Sequence, residues 1–125
     1  MCIREMTEIQ KIVRDKFLNF AVRIVNLKNE LNAKHEYNIA DQIQRSGTSL
    51  GAMQREAYYA ESNDDMIHKL RIALKEANET QYWLELLLHT QYITEDEYKS
   101  LQIDLEELRK ILAASVTKLK KIITT

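Results

Sequence analysis

The chain has 125 residues, 45% of them hydrophobic and 30% charged, with no proline and two glycines. Average usage would place about six prolines and about nine glycines in this length, so the tight turns of a sandwich or barrel are missing and long helices with short connections remain. With 18 Lys and Arg against 19 Asp and Glu, the formal net charge is -1, which removes the simplest argument for a nucleic-acid binder, a basic domain.

Val13, Phe17, Phe20, Ile24, Leu27 and Leu31 recur at alternating intervals of four and three. That spacing puts them on one stripe of a first helix over about 7–33. Leu18, Val22 and Val25 form a second stripe, about a hundred degrees round. A second helix is expected over about 37–61, with Ile39, Ile43, Leu50 and Ala57 on its apolar side. Its middle, Ser46 to Ala52, is built almost wholly of small residues. Helix propensity opposes it there by about 1 kcal/mol per glycine relative to alanine, yet the flanking period runs through. Gly47 and Gly51 stand four apart and share a face that would let another backbone approach closely.

Ser62-Asn63-Asp64-Asp65 is a break and a restart: Ser62 or Asn63 can accept from free amides, and the aspartates suit the positive end of the helix dipole. The third helix is expected over about 64–90. Ile67, Leu70, Leu74, Ala77, Leu84 and Leu88 make its main stripe, interrupted at Gln81, while Ile72, Trp83 and Leu86 fall outside it. Thr94-Glu95-Asp96-Glu97 matches a capping box and opens a fourth helix over about 95–122. There Tyr98, Leu101, Leu105, Leu108, Leu112, Ser115, Leu119 and Ile122 follow one another at three-four spacing. Rods of about 25 residues, roughly 37 Å long, with short connections predict a single domain over 1–125. Its class is all-α, an antiparallel up-down-up-down four-helix bundle.

A helix in an isolated bundle needs one buried stripe, and the first helix has two. Self-association is therefore expected, with Leu18, Val22, Val25, Trp83 and Leu86 as contact residues and Gly47 and Gly51 permitting close approach. The competing account is that these side chains merely cover the bundle edges.

Catalytic and metal chemistry find little footing. A di-iron bundle needs two Glu-x-x-His pairs, and around His35, His68 and His89 there is none. Glu56, Glu76, Glu79 and Arg45 are read as a structural ion-pair network, with Lys75 and Glu79 able to pair along one face and Arg45 able to pair with a carboxylate on another helix or subunit. Ser46, Thr48 and Ser49 have no adjacent histidine to act as base. The glycines lack the lysine and the preceding strand of a phosphate loop. No catalytic residue, metal or cofactor is expected.

Basic residues gather at two places: Lys11, Arg14 and Lys16 near the start, and Lys118, Lys120 and Lys121 after Arg109 and Lys110 near the end. The dipole accounts for the second cluster, but repeated around a symmetry axis both would make an electrostatic footprint for RNA or single-stranded DNA. Tyr58 and Tyr59 beside Arg55 fit base stacking or a subunit boundary. No apolar run approaches the ~20 residues of a membrane span. The charged start and the lone Cys2 suit a protein of the reducing cytoplasm, with no membrane partner.

Three stretches together resemble a known family: Arg45-Ser46-Gly47-Thr48-Ser49-Leu50-Gly51-Ala52, then Arg55-Glu56-Ala57, then Ile67 to Ala77 with Glu79-Thr80-Gln81-Tyr82-Trp83-Leu84. They look like the bacterial four-helix-bundle proteins encoded in intervening sequences of large-subunit ribosomal RNA genes, often labelled ribosomal proteins. Met53 departs from the asparagine usual there. The resemblance implies an antiparallel bundle assembling as a homo-oligomeric ring, a pentamer in members of known structure, with no catalytic activity. The similar accessory proteins of diversity-generating retroelements imply a further possibility, nucleic-acid binding in company with a reverse transcriptase.

Overall fold

The computed structural model describes residues 5–124 and holds four helices: α1 (Glu8–Ala33), α2 (Asn38–Tyr58), α3 (Asn63–His89) and α4 (Glu95–Thr124). The helix starts follow from capping chemistry. Thr7 and Gln10 form a reciprocal box, the Gln10 amide donating to Thr7 Oγ1 at 3.1 Å and the Thr7 amide to Gln10 Oε1 at 2.9 Å. Thr94 and Glu97 do the same at the start of α4, as the spacing predicts. Ser62 accepts from the Asp65 amide at 3.1 Å. To do so it takes an extended conformation, and α2 has already stopped at Tyr58, three residues short of the expected boundary.

Helices α1 and α3 end alike. After Lys34, the His35 amide bonds to Asn32 O and the Glu36 amide to Leu31 O; after Thr90, Gln91 bonds to Leu88 O and Tyr92 to Leu87 O. Both are Schellman motifs, whose turning residue prefers glycine. This chain puts His35 and Gln91 there instead, at φ 63° and 64°, because both glycines lie inside α2.

Contacts fix the directions. Ile24 of α1 meets Gly47 of α2, and Phe17 meets Gly51; Arg45 of α2 meets Glu76, and Glu56 meets Lys69 of α3. Each partner number falls as the other rises, so neighbours run antiparallel. The core lies along the common axis and includes Phe17, Phe20, Ile24, Ile43, Leu50, Leu84, Leu87, Leu105, Leu108 and Leu112. Helices α1 and α4 close the bundle through long polar side chains: Lys16 Nζ reaches Glu107 Oε1 at 3.0 Å, and Arg23 reaches Asp104 at 2.5 Å and the Ser100 hydroxyl at 2.8 Å.

The apolar stripe of α4 drifts. Val116 is buried, while Ser115 is half-buried and bonds back to Ile111 O at 2.9 Å. Ile122, the last expected stripe residue, is exposed. An α-helix has 3.6 residues per turn, so a strict three-four alternation walks off the core over several turns.

Candidate functional site

The small-residue stretch of α2 serves three neighbours at once. Gly47 is buried beneath Ile24 of α1. The expectation that it serves a contact between copies is corrected here, since its own chain already fills the space. Gly51 is half-buried over Phe17. On the flank toward α3, the buried Ser46 and Thr80 hydroxyls stand 2.9 Å apart, and Thr80 also donates to Glu76 O at 2.8 Å. A hydroxyl pair inside a bundle core needs this mutual satisfaction.

Beside that pair, Arg45 forms the inter-helix pairing expected of it. It bonds to Glu79 and, at 3.2 Å, to Glu76, and the Trp83 indole N–H donates to Glu79 Oε1 at 3.2 Å. The hydrogen bond from Arg45 holds the Glu79 carboxyl below the ordinary range; burial opposes this and the indole assists it. The same bond raises Arg45 further. Of the two pairings open to Glu79, along its own helix to Lys75 or across to Arg45 of α2, the structure takes the second. The three motif stretches are one packing unit, the seam that holds α2 against α1 and α3.

The excess apolar surface is unevenly placed. Leu18, Val22 and Val25 are 50%, 51% and 37% exposed on the outer side of α1. Trp83 packs against the core and Leu86 is half-buried, so both cover the bundle edge within the single chain. Next to Leu18 the surface sinks into a groove of about 810 Å³ across the outer face of α2. Arg14 and Leu18 of α1, Thr48, Gly51 and Ala52 of α2, and Lys69 of α3 are among the residues that line it. The groove was not expected from spacing alone. The run of small residues was its one signal. Ile103 on α4, 69% exposed, was also missed, because it stands alone among polar neighbours.

Antiparallel topology brings the starts of α1 and α3 and the ends of α2 and α4 to one end of the bundle. Lys11, Arg14 and Lys16 therefore share that end with Lys118, Lys120 and Lys121, and Arg71 and His68 line a shallow groove there with Lys120. Acids are interleaved: Glu8 pairs with Lys11, Asp15 with Arg14 and Glu107 with Lys16. Tyr58 donates its hydroxyl to Glu5 O at 3.1 Å, and Tyr59 packs edge-on against it. Among the described residues no group of His, Cys, Asp or Glu is placed to hold a metal ion, and no helix is long and apolar enough to cross a membrane. Cys2 lies outside the described residues.

A family model described as 23S rRNA-intervening sequence protein matches residues 10–114. Among solved structures, the chain is similar to the crystal structure of a protein with unknown function from the S23 ribosomal protein family of Bacteroides thetaiotaomicron. The two are 55% identical, with a TM-score of 0.81 over 83% of this chain and 97% of that one. No curated protein matches the chain.

Proposed function

Because the chain belongs to the 23S rRNA-intervening sequence protein family, we propose that it acts as a non-enzymatic assembly module of the cytoplasm, joining copies of itself into a homo-oligomeric ring. One observation carries this: Leu18, Val22 and Val25 leave the outer side of α1 open to water as a continuous apolar stripe. Burying such a stripe is favourable at about 25 cal/mol per Å² of apolar surface, and a second copy is always at hand to do it. The resemblance to the ring-forming bundles adds the expected size, a pentamer. Sedimentation velocity tests the proposal. The wild type sediments as an oligomer, and Leu18→Glu with Val22→Glu sediments as a folded monomer. A wild type monomeric at all accessible concentrations overturns it.

A second reading, an accessory protein that binds RNA or single-stranded DNA beside a reverse transcriptase, is favoured by the gathering of Lys11, Arg14, Lys16, Lys118, Lys120 and Lys121 at one end of the bundle. Ring symmetry would repeat that cluster on one rim. Retention of labelled single-stranded DNA or structured RNA at low salt tests it. Binding should weaken as salt rises and fall when Lys118, Lys120 and Lys121 are changed to Gln.

A further inference from the structure

We infer that a single-stranded nucleic acid lies along the outer face of α3, its phosphates on Arg71, Lys75 and Lys120 and a base on Tyr82; this rests on the second reading above and gives it a different contact surface. Arg71, Lys75, Asn78 and Tyr82 follow one another at intervals of four, three and four, which places them on one stripe of the helix. All four are exposed. At 1.5 Å per residue the stripe is about 16 Å long. At its Arg71 end it meets Lys120 of α4 across a groove of about 370 Å³.

These cations differ from the others at the basic end of the bundle in being unpaired. Lys11, Arg14 and Lys16 each face a carboxylate of their own chain, so a phosphate there has to displace one. Among the described residues no carboxylate stands within ion-pair distance of Arg71, Lys75 or Lys120. No acid lies three or four positions from Arg71 or Lys120 along its own helix, and the one such acid open to Lys75 is Glu79. Arg45 of α2 already holds Glu79. The carboxylate that lines the groove is Asp64, in the first turn of α3, where the helix dipole favours it.

Unpaired cations attract any polyanion, and the aromatic ring narrows the class. Tyr82 is 55% exposed. Its ring is braced edge-on at 5.0 Å by that of Trp83, which packs against the core. Basic side chains leading to a fixed, open ring suit a single strand, which puts phosphates on the charges and stacks a base on the ring. A duplex keeps its bases stacked inside, and an acidic polypeptide has no base to offer. Assembly through α1 leaves this face open, because α3 stands diagonally across the bundle from α1, each packing on α2 and α4.

Fluorescence anisotropy with labelled oligo-dT, and with an abasic strand of the same length, tests this. Three phosphate contacts give a slope of about −2 for log affinity against log salt, a loss of roughly 20-fold between about 50 and 200 mM salt. Arg71→Gln with Lys75→Gln should remove about two-thirds of that slope. Tyr82→Ala should weaken oligo-dT about 5-fold or more and leave the abasic strand unchanged. The three positions are exposed, so the variants keep wild-type helicity by circular dichroism. If the wild type binds but the Arg71 and Lys75 variant keeps its salt slope, the α3 track falls and the second reading stands on the other basic residues. The track falls in the same way if Tyr82→Ala does not separate the two strands, or if poly-glutamate displaces oligo-dT as readily as unlabelled oligo-dT does. No binding at low salt removes both.

Discussion

A Cβ built on Gly47 would lie 2.9 Å from both Cγ1 and Cγ2 of Ile24. Ile24 is fully buried and branched at Cβ, so it has little freedom to swing away. Gly47→Ala should therefore destabilise the fold. The alanine gains about 1 kcal/mol of helix propensity, but overpacking typically costs about 1–3 kcal/mol, and the loss wins. Gly51 behaves oppositely: its Cβ would meet Phe17 at an ordinary 3.6 Å, so Gly51→Ala should gain up to about 1 kcal/mol. Urea denaturation of the two variants checks the contrast in sign.

The Ser46–Thr80 pair predicts a coupling. Ser46→Ala leaves the Thr80 hydroxyl its bond to Glu76 O, and Thr80→Val leaves Ser46 only a long contact to Ile43 O at 3.5 Å. Thr80→Val should cost about 1–3 kcal/mol, because it strands the buried Ser46 hydroxyl, and Ser46→Ala only about 0.5–1.5 kcal/mol, because Thr80 keeps a partner. The double variant should cost less than the sum, and a double-mutant cycle in urea reads the difference.

Much of this bundle was legible in the residues, and the parts that were not have physical causes. Caps and stripes are local, so Thr94 with Glu97 and the Phe17–Ile24–Leu31 stripe could be read directly. Thr80 escaped because a polar residue enters a core position only when a partner waits on another helix, here Ser46. Gly47 was read as a face open to another backbone, whereas the Ile24 side chain of its own chain fills it, since spacing cannot tell α1 of the same chain from a second copy. The groove escaped for the same reason. A hollow is a property of three helices together, and no single helix announces it.

Glu79 predicts an acid-limb effect. Its carboxyl is held below the ordinary value of 4.5, first by the hydrogen bond from Arg45. A group whose pKa is lowered by folding stabilises above its unfolded value, and that stability is lost as pH falls through the folded value. Stability should decline from 4.5 downward, and Glu79→Gln should flatten that decline. The ion pair is partly exposed, with Arg45 at 49% and Glu79 at 33%, so solvent screening keeps the change under about 1 kcal/mol. Trp83 is the chain's only tryptophan and bonds to Glu79, so its fluorescence should report the titration in wild type and not in the variant.

Gln91→Gly should stabilise. A non-glycine residue in the left-handed region costs roughly 1–2 kcal/mol, and glycine returns part of that, roughly 0.4–1 kcal/mol, through greater freedom of the unfolded chain. The net gain is about 0.5–1 kcal/mol. His35→Gly should gain less, because His35 Nδ1 lies 2.9 Å from the Tyr37 hydroxyl and that bond is lost. Thermal unfolding of both variants checks the order.

Val22 separates the stability of one copy from the stability of the assembly. At 51% exposure it contributes little to the core of its own chain, so Val22→Glu should leave the unfolding free energy of the isolated bundle within about 0.5 kcal/mol of wild type. An assembly that forms only from folded copies adds stability that grows with protein concentration. The wild-type melting temperature should therefore rise as the protein is concentrated, while that of Val22→Glu should stay flat and meet the wild-type curve at high dilution. A core residue cannot behave this way: Ile24→Ala should cost about 2–5 kcal/mol within the single copy, and so lower the melting temperature at every concentration. Melting temperatures of wild type, Val22→Glu and Ile24→Ala measured across a dilution series distinguish the two roles, and a wild-type curve with no concentration dependence would remove the α1 face from any part in assembly.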